Sequence, residues 1–241
     1  MVIINGDDFG MNEHCTKAIA AAFSEGLITD TTIMANGAYF NEAVALAQSD
    51  GFADRIGIHL NITEGTPLTE DIKGFPDFVT NGHFNKRYNH SRELTEAEQK
   101  AIYKELTAQI KKLKTAGISI THADSHHYVH NLTYIAPIAE RVCREQGISK
   151  IRLKRNLCES EDFEYNIRLR ENGFITTTYF GKLIDIKTGV VPDDTEILVH
   201  PDFDKSGKLI DRRGVEDGYP VGESIPKLKA QLGSYNKLKL Q

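Results

Sequence analysis

Short β-branched runs alternate with amphipathic helical stripes from the first residues onward, and this alternation constrains the fold more than any other feature of the chain. Val2 to Asn5 reads as a buried strand that ends in the polar residues Asp7, Asp8 and Gly10. A helix should follow from the N-cap Asn12, with Cys15, Ala18, Ile19, Ala22 and Phe23 on one stripe and Gly26 past its end. Thr31 to Met34 is β-branched again, Phe40, Ala43, Val44 and Ala47 form a second stripe, and Ile56 to Leu60 returns to strand. Such a βαβαβ order builds a parallel sheet covered by helices.

The pattern fails between Asn61 and Arg92, where Gly, Pro and Asn alternate with Phe75, Phe78, Phe84 and Tyr88. A stretch of that length without period inside a compact domain predicts a lid or binding loop at about 62–92, whose aromatics suit either stacking on a sugar ring or anchoring of the loop. Thr95 and Glu98 then form a capping box, and Ile102, Leu106, Ile110 and Leu113 the stripe of a helix ended by Gly117. Further strands are predicted at Ile118 to Ala123, Lys150 to Leu153, Phe174 to Phe180 and Glu196 to Val199. Helices are predicted near 133–146 and around Phe163 to Arg170, and the tail after Pro201 reads as loop with one weak helix near Pro226 to Gln231. No repeat or linker divides the chain. The expected fold class is α/β, a single domain over 1–241 with six or seven parallel strands in a barrel-like β/α arrangement.

Composition narrows the partners. A net charge of −5 removes the clustered positive charge that phosphate backbones require, so nucleic acid is not expected to bind. No apolar run reaches the roughly 18 residues of a membrane span, and the start MVIINGDDFG lacks the blocks of a signal peptide, so the expected compartment is the cytosol. The three cysteines, Cys15, Cys143 and Cys158, show no C-x-x-C spacing and read as small buried side chains at Cys15 and Cys143.

Polar clusters stand where strands end. These are Asp7-Asp8, His59-Leu60-Asn61 and the run His122-Ala123-Asp124-Ser125-His126-His127. In a parallel α/β fold the carboxyl ends of the strands share one side, so a carboxylate and two imidazoles can converge there as a divalent-metal site with open positions. Nitrogen donors favour zinc or another transition ion on softness alone. Four histidines within nine residues, 122, 126, 127 and 130, point to function, with one or two as direct ligands and the others around them. Lone histidines such as His14, His83 and His90 read as surface or loop residues. His200, at the end of the strand ILVHPD, suits a general acid for a leaving amine because its proton exchanges near neutrality. The chain has no G-x-G-x-x-G, Walker A, G-x-S-x-G or H-E-x-x-H motif, so dinucleotide, ATP, serine-hydrolase and zincin chemistry lose their usual support.

NGDDFG at 5–10, GIHLNITEGTPL at 57–68 and THADSHHYVH at 121–130 resemble, in order, the three signatures of the YdjC family, whose best known activity is deacetylation of chitooligosaccharides. The likeness runs across most of the chain, through GLITDTTIMANG at 26–37 to His200 and Pro201. It implies a fold akin to the polysaccharide deacetylases, a divalent metal usually assigned as magnesium, an acetylated oligosaccharide substrate, and often a homodimer. Residue by residue, the resemblance makes Asp8, His59 and His126 the metal ligands, Asp7 the catalytic base and His200 the proton donor. Tyr128 stands where the family often has another histidine, a departure that spares the metal triad and bears on substrate preference.

Two other functions use the same residues. A metal-dependent hydrolase of phosphorylated β-glucosides or sugar phosphates should add cations near the site, for which Arg152, Lys154 and Arg155 stand after a strand. A non-catalytic sugar-binding or regulatory protein would tolerate loss of Asp7 or His200, and both are present.

Overall fold

The computed structural model describes residues 1–87, 92–157, 164–186, 190–213, 219–228 and 230–239. The expectations for Tyr88, His90, Cys158 and Phe163 lie outside the described residues. The first half alternates as its sequence predicts, with β1 (Val2–Phe9), α1 (Glu13–Ser24), β2 (Asp30–Ile33), α2 (Phe40–Ser49) and β3 (Ile56–Leu60). A small hairpin of β4 (Val79–Thr80) and β5 (His83–Phe84) precedes α3 (Glu96–Thr115), β6 (Ala123–Ser125) and α4 (Ala136–Glu145). Then come α5 (Glu164–Glu171), β7 (Tyr179–Lys182) and β8 (Thr195–Val199). The chain ends with β9 (Pro201–Phe203), β10 (Leu209–Asp211), β11 (Tyr219–Pro220), α6 (Val221–Ser224) and β12 (Leu232–Gly233).

The main sheet runs β6, β3, β2, β1, β8, β7, every pairing parallel, with β12 added beside Val2 and Ile3 at the start of β1. Parallel neighbours require crossovers: α1, α2, α3 and the α4–α5 pair lie in those that lead to β2, β3, β6 and β7, while among the described residues the one from β7 to β8 holds only a one-turn 3₁₀ segment, Leu183–Asp185. The sheet curls into a half-barrel. Residues 150–156 partly span the gap between its edges: Arg152 N donates to Ala123 O at 3.0 Å, and Asn156 N to Phe180 O at 3.0 Å. The predicted strand Lys150 to Leu153 is therefore present only as single bridges, Ala123 to Ile151 and Lys150 to Ile175. The predicted strand at Ile118 to Ala123 begins late: Thr121 N already bonds Ile56 O at 2.9 Å, but the strand itself is Ala123–Ser125.

Local signals held where they carried a mechanism. Asn12 Oδ1 accepts from Cys15 N at 3.0 Å as the α1 cap, and Thr95 and Glu98 close the capping box of α3. The stretch 62–87 is not structureless. A one-turn 3₁₀ segment, Asp71–Gly74, and the β4–β5 hairpin organise it, and buried Glu105 of α3 accepts from Leu68 N and Thr69 N at 3.0 and 2.8 Å. Phe78 and Phe84 are buried in the main core, so these two rings anchor the loop rather than stack on a sugar.

Strand residues alternate between two environments. Val2, Ile4, Ile56, Ile58, Ile197 and Val199 face outward and pack with the helices into one large apolar core. Asn5, Asp7, Thr32, His59, Asp124, Arg152 and Glu196 face inward, and all are buried. Among the described residues no helix is long and apolar enough to cross a membrane.

Candidate active site

The two adjacent aspartates part because the backbone changes hand between them. The pairing of β1 with β2 shifts between Gly6 and Phe9, and Asp8 adopts φ +73°, the left-handed region that side chains other than glycine seldom enter. Such a conformation costs on the order of 1–2 kcal/mol and persists where the surroundings fix it. Asp8 turns toward the mouth of the barrel. Its Oδ1 lies 3.1 Å from His59 Nε2 and 2.7 Å from His126 Nδ1, and the three donor atoms fall within 4.8 Å of one another in a buried cluster that could hold a metal ion. Its Oδ2 is approached by Arg212 and, at 3.9 Å, by Arg213.

Each imidazole has its other nitrogen engaged. His59 Nδ1 lies 2.7 Å from Asp124 Oδ1 and 3.1 Å from Thr32 Oγ1, while His126 Nε2 lies 3.1 Å from Glu64 Oε2. A carboxylate behind a histidine fixes ring and tautomer and raises its basicity, an arrangement common around metal ligands. Burial works against ionisation of His59, yet Asp124 and Asp8 outweigh it and raise its pKa to about 10. Burial likewise opposes the charge on Asp8, but the bonds to His126 and His59 hold its carboxyl well below the usual range. The donor set thus draws positive charge into a buried site, which a dication satisfies as well as a proton does.

Asp7 faces the barrel interior instead. Arg152 Nη1 and Nη2 donate to its two oxygens at 2.7 Å each, and Asn5 Nδ2 donates to Oδ1 at 2.8 Å. Burial raises its pKa, but the Arg152 charge and hydrogen bonds prevail and lower it to about 2. The same guanidinium reaches Asp124 Oδ2 at 2.7 Å and Glu196 Oε1 at 2.8 Å, so three buried carboxylates share one arginine. Arg152 therefore does not serve a substrate phosphate, and Arg155 is paired with Asp185 through Nε at 2.9 Å.

His200 leaves β8 beside Asp211, which accepts from its backbone N at 3.2 Å and lies 3.6 Å from Nδ1. It is close enough to Asp7 to help hold that carboxyl ionised. The histidine cluster divides as follows. His126 faces Asp8. His127 and Tyr128 both take left-handed backbone, φ +53° and +56°, so the segment is kinked rather than extended. His127 Nδ1 meets Thr63 Oγ1 at 2.9 Å, beside a cavity of about 250 Å³ lined by Ile62, Phe78, Asn85, Lys86 and Leu132. His130 is bonded to Ser125 Oγ at 2.5 Å and lies against Arg152 O, and His122 stacks on Tyr235. Burial lowers the pKa of His127 to about 4 and of His130 to about 3, leaving both neutral at pH 7.

Of the five residues singled out in the sequence, the structure brings Asp8, His59 and His126 directly together, sets Asp7 on the interior side of them against Arg152, and leaves His200 close enough to act on Asp7. Sequence reasoning missed the layer behind them. Asp124 stood two positions before His126 and Glu64 inside HLNITEG, but nothing in either string says which imidazole it touches. Glu196 and Asn5 gave no signal.

The family model described as YdjC-like protein matches residues 1–220. The chain belongs to this family. A curated relative from Listeria welshimeri serovar 6b, named carbohydrate deacetylase, is 35% identical over 212 residues, covering 84% of this chain and 81% of its own. Another of that name from Brevibacillus brevis is 36% identical over 147 residues, 61% of this chain and 57% of its own. A crystal structure from Enterococcus faecalis V583, of a protein suggested to cleave cellobiose-phosphate, superposes with a TM-score of 0.74 at 23% identity. It covers 98% of this chain and 97% of that one, a likeness of fold.

Proposed function

We propose that the protein is a metal-dependent carbohydrate deacetylase that removes N-acetyl groups from acetylated oligosaccharides such as chitooligosaccharides. The observation that carries this reading is the buried donor set of Asp8, His59 and His126, with the carboxylate of Asp7 on the adjoining residue and an imidazole, His200, close enough to act on that carboxylate. The names of the Listeria and Brevibacillus relatives support the substrate class. Magnesium follows from the family resemblance, and two imidazole donors suit zinc as well. Homodimer assembly and a cytosolic location belong to the same proposal.

Asp8, His59 and His126 would hold a divalent cation, which would supply Lewis acidity toward the acetamide carbonyl and toward water. Asp7, kept ionised and aimed by Arg152, accepts the proton of the attacking water. A carboxylate with a pKa of about 2 is a weak base, so Asp7 in this role would depend on the Lewis acidity that the bound cation would supply to water. His200 protonates the departing sugar amine, and acetate and a free amino sugar leave.

The test is acetate release from a panel of N-acetylated oligosaccharides, free and phosphorylated, after chelation and metal add-back. Release that is lost on chelation and restored by one divalent ion is expected. Folded protein that releases no acetate from any of them with any metal would overturn the proposal.

A further inference from the structure

The C-terminal segment reaches the same machinery from the opposite end of the barrel, beyond residue 220 where the family match stops. β12 pairs with Val2 and Ile3, and the next residues turn inward. Ser234 Oγ and Tyr235 N donate to Asp30 Oδ1 at 2.9 and 3.2 Å, and Lys150 Nζ donates to Tyr235 O at 2.5 Å. The Tyr235 ring is fully buried, packed with Ile3 and Leu238 and stacked on His122 at 3.6 Å between centroids. With main chain and ring so held, the hydroxyl ends on Glu196 Oε2 at 2.5 Å. The other oxygen of Glu196 accepts from Arg152 Nε, and Arg152 grips Asp7.

We propose that Tyr235 is a positioning residue for the active-site carboxylate Asp7, acting through Glu196 and Arg152. The inference rests on the reading of Asp7 as proton acceptor. Arg152 has a rigid fork of donors and three carboxylates around it. Among the described residues the Tyr235 hydroxyl is the donor to Glu196 Oε2. A buried carboxylate oxygen deprived of its donor is costly, and Arg152 already donates to the other oxygen of the same carboxylate. Removing the hydroxyl therefore draws the guanidinium toward Glu196 and loosens the paired bonds that aim Asp7.

Tyr235→Phe keeps the ring, its stacking and its main-chain anchors. Assayed on the metal-loaded protein with diacetylchitobiose, it should lower kcat about tenfold while KM and bound metal stay unchanged, because misplacing a reacting group costs turnover. In a Glu196→Gln background the loss caused by Tyr235→Phe should shrink, since a neutral amide competes weakly for the guanidinium; a merely structural tyrosine would cause the same loss in both backgrounds. If Tyr235→Phe does not fold, Glu196→Asp, which shortens the link by one methylene, should show the same fall in kcat at constant KM. Wild-type kcat in whichever of these two variants folds, or equal losses in both backgrounds, would overturn the proposal. Asp7→Asn assayed alongside separates the two claims. Wild-type turnover there refutes the base reading itself, whereas an inactive Asp7→Asn with a fully active Tyr235→Phe refutes only the positioning role.

Discussion

The two faces of the main sheet follow one alternation and carry opposite chemistry. On β1, Val2 and Ile4 pack against helices while Asn5 and Asp7 point into the barrel; on β3, Ile56 and Ile58 pack outward and His59 inward; on β8, Ile197 and Val199 oppose Glu196. The outer face gains from removing apolar surface from water, at roughly 25 cal/mol per Å², a non-directional term that tolerates changes of shape. The inner face is a connected set of charges in a low-dielectric interior, where each group is stabilised only while its partner stays in place. The fold therefore rests on the face that any apolar residue can serve, and the chemistry on the face where few substitutions are neutral.

Arg152→Met should break the inner face most severely. It leaves Asp7, Asp124 and Glu196 buried without their cation, and loss of one partner of such a network costs about 3–5 kcal/mol. Its pH dependence has a definite sign. The guanidinium holds the Asp7 pKa near 2, so in its absence that carboxyl takes up a proton more readily, and the deficit relative to wild type should narrow as pH falls. Denaturant titrations at pH 7 and pH 5 read this out, and an equal deficit at both would show that the arginine acts by packing alone.

Asp30 is an inner-face carboxylate with the opposite problem. Burial raises its pKa from 3.8 to about 7, against the bond from Ser234, and its Oδ2 has no hydrogen-bond partner among the described residues. A raised folded pKa means the native state binds the extra proton, so this group lowers stability progressively from about pH 4 to pH 7. Asp30→Asn should flatten that slope and stabilise the protein at pH 8 by on the order of 1–3 kcal/mol. A variant that keeps the wild-type slope would locate the pH dependence elsewhere.

On the outer face the expected effects are smaller and silent toward the site. Ile58→Val removes one methylene from a fully buried position and should cost about 0.5–1.5 kcal/mol while metal content and kcat stay at wild-type values. Thermal melts beside elemental analysis test it; a loss of metal would mean that the two faces are coupled more tightly than their packing suggests.

The outer face was largely legible in the sequence because apolar periodicity reports on a continuous core: the stripes of α1, α2 and α3 and the strands β1, β2, β3 and β8 all emerged from it. The caps at Asn12 and Thr95 were legible because each satisfies backbone donors within four residues. The curled edge near Lys150 was not, since its pairing depends on strands far away in the chain. The direct ring of the site was visible as strand-end clusters and family signatures. The supporting ring was not: an aspartate, a glutamate or an arginine inside a strand pattern reads as an ordinary polar residue until the fold shows that Asp124 backs His59 and Arg152 backs Asp7. The same limit left Phe84 open between a sugar face and an anchor, and left Arg152 a candidate for a substrate phosphate under the alternative function, until the fold placed the ring in the core and the guanidinium among three carboxylates.

The central claim is that one residue step along β1 separates a metal ligand from a proton acceptor, and a single pair of variants tests it most directly. Metal content and acetate release are measured for Asp8→Asn and Asp7→Asn. Asp8→Asn should lose bound metal, because an amide oxygen lacks the charge that offsets a dication. Asp7→Asn should keep the metal and lose about 10² to 10⁴ in turnover. Full metal occupancy in Asp8→Asn, or wild-type turnover in Asp7→Asn, would contradict the account.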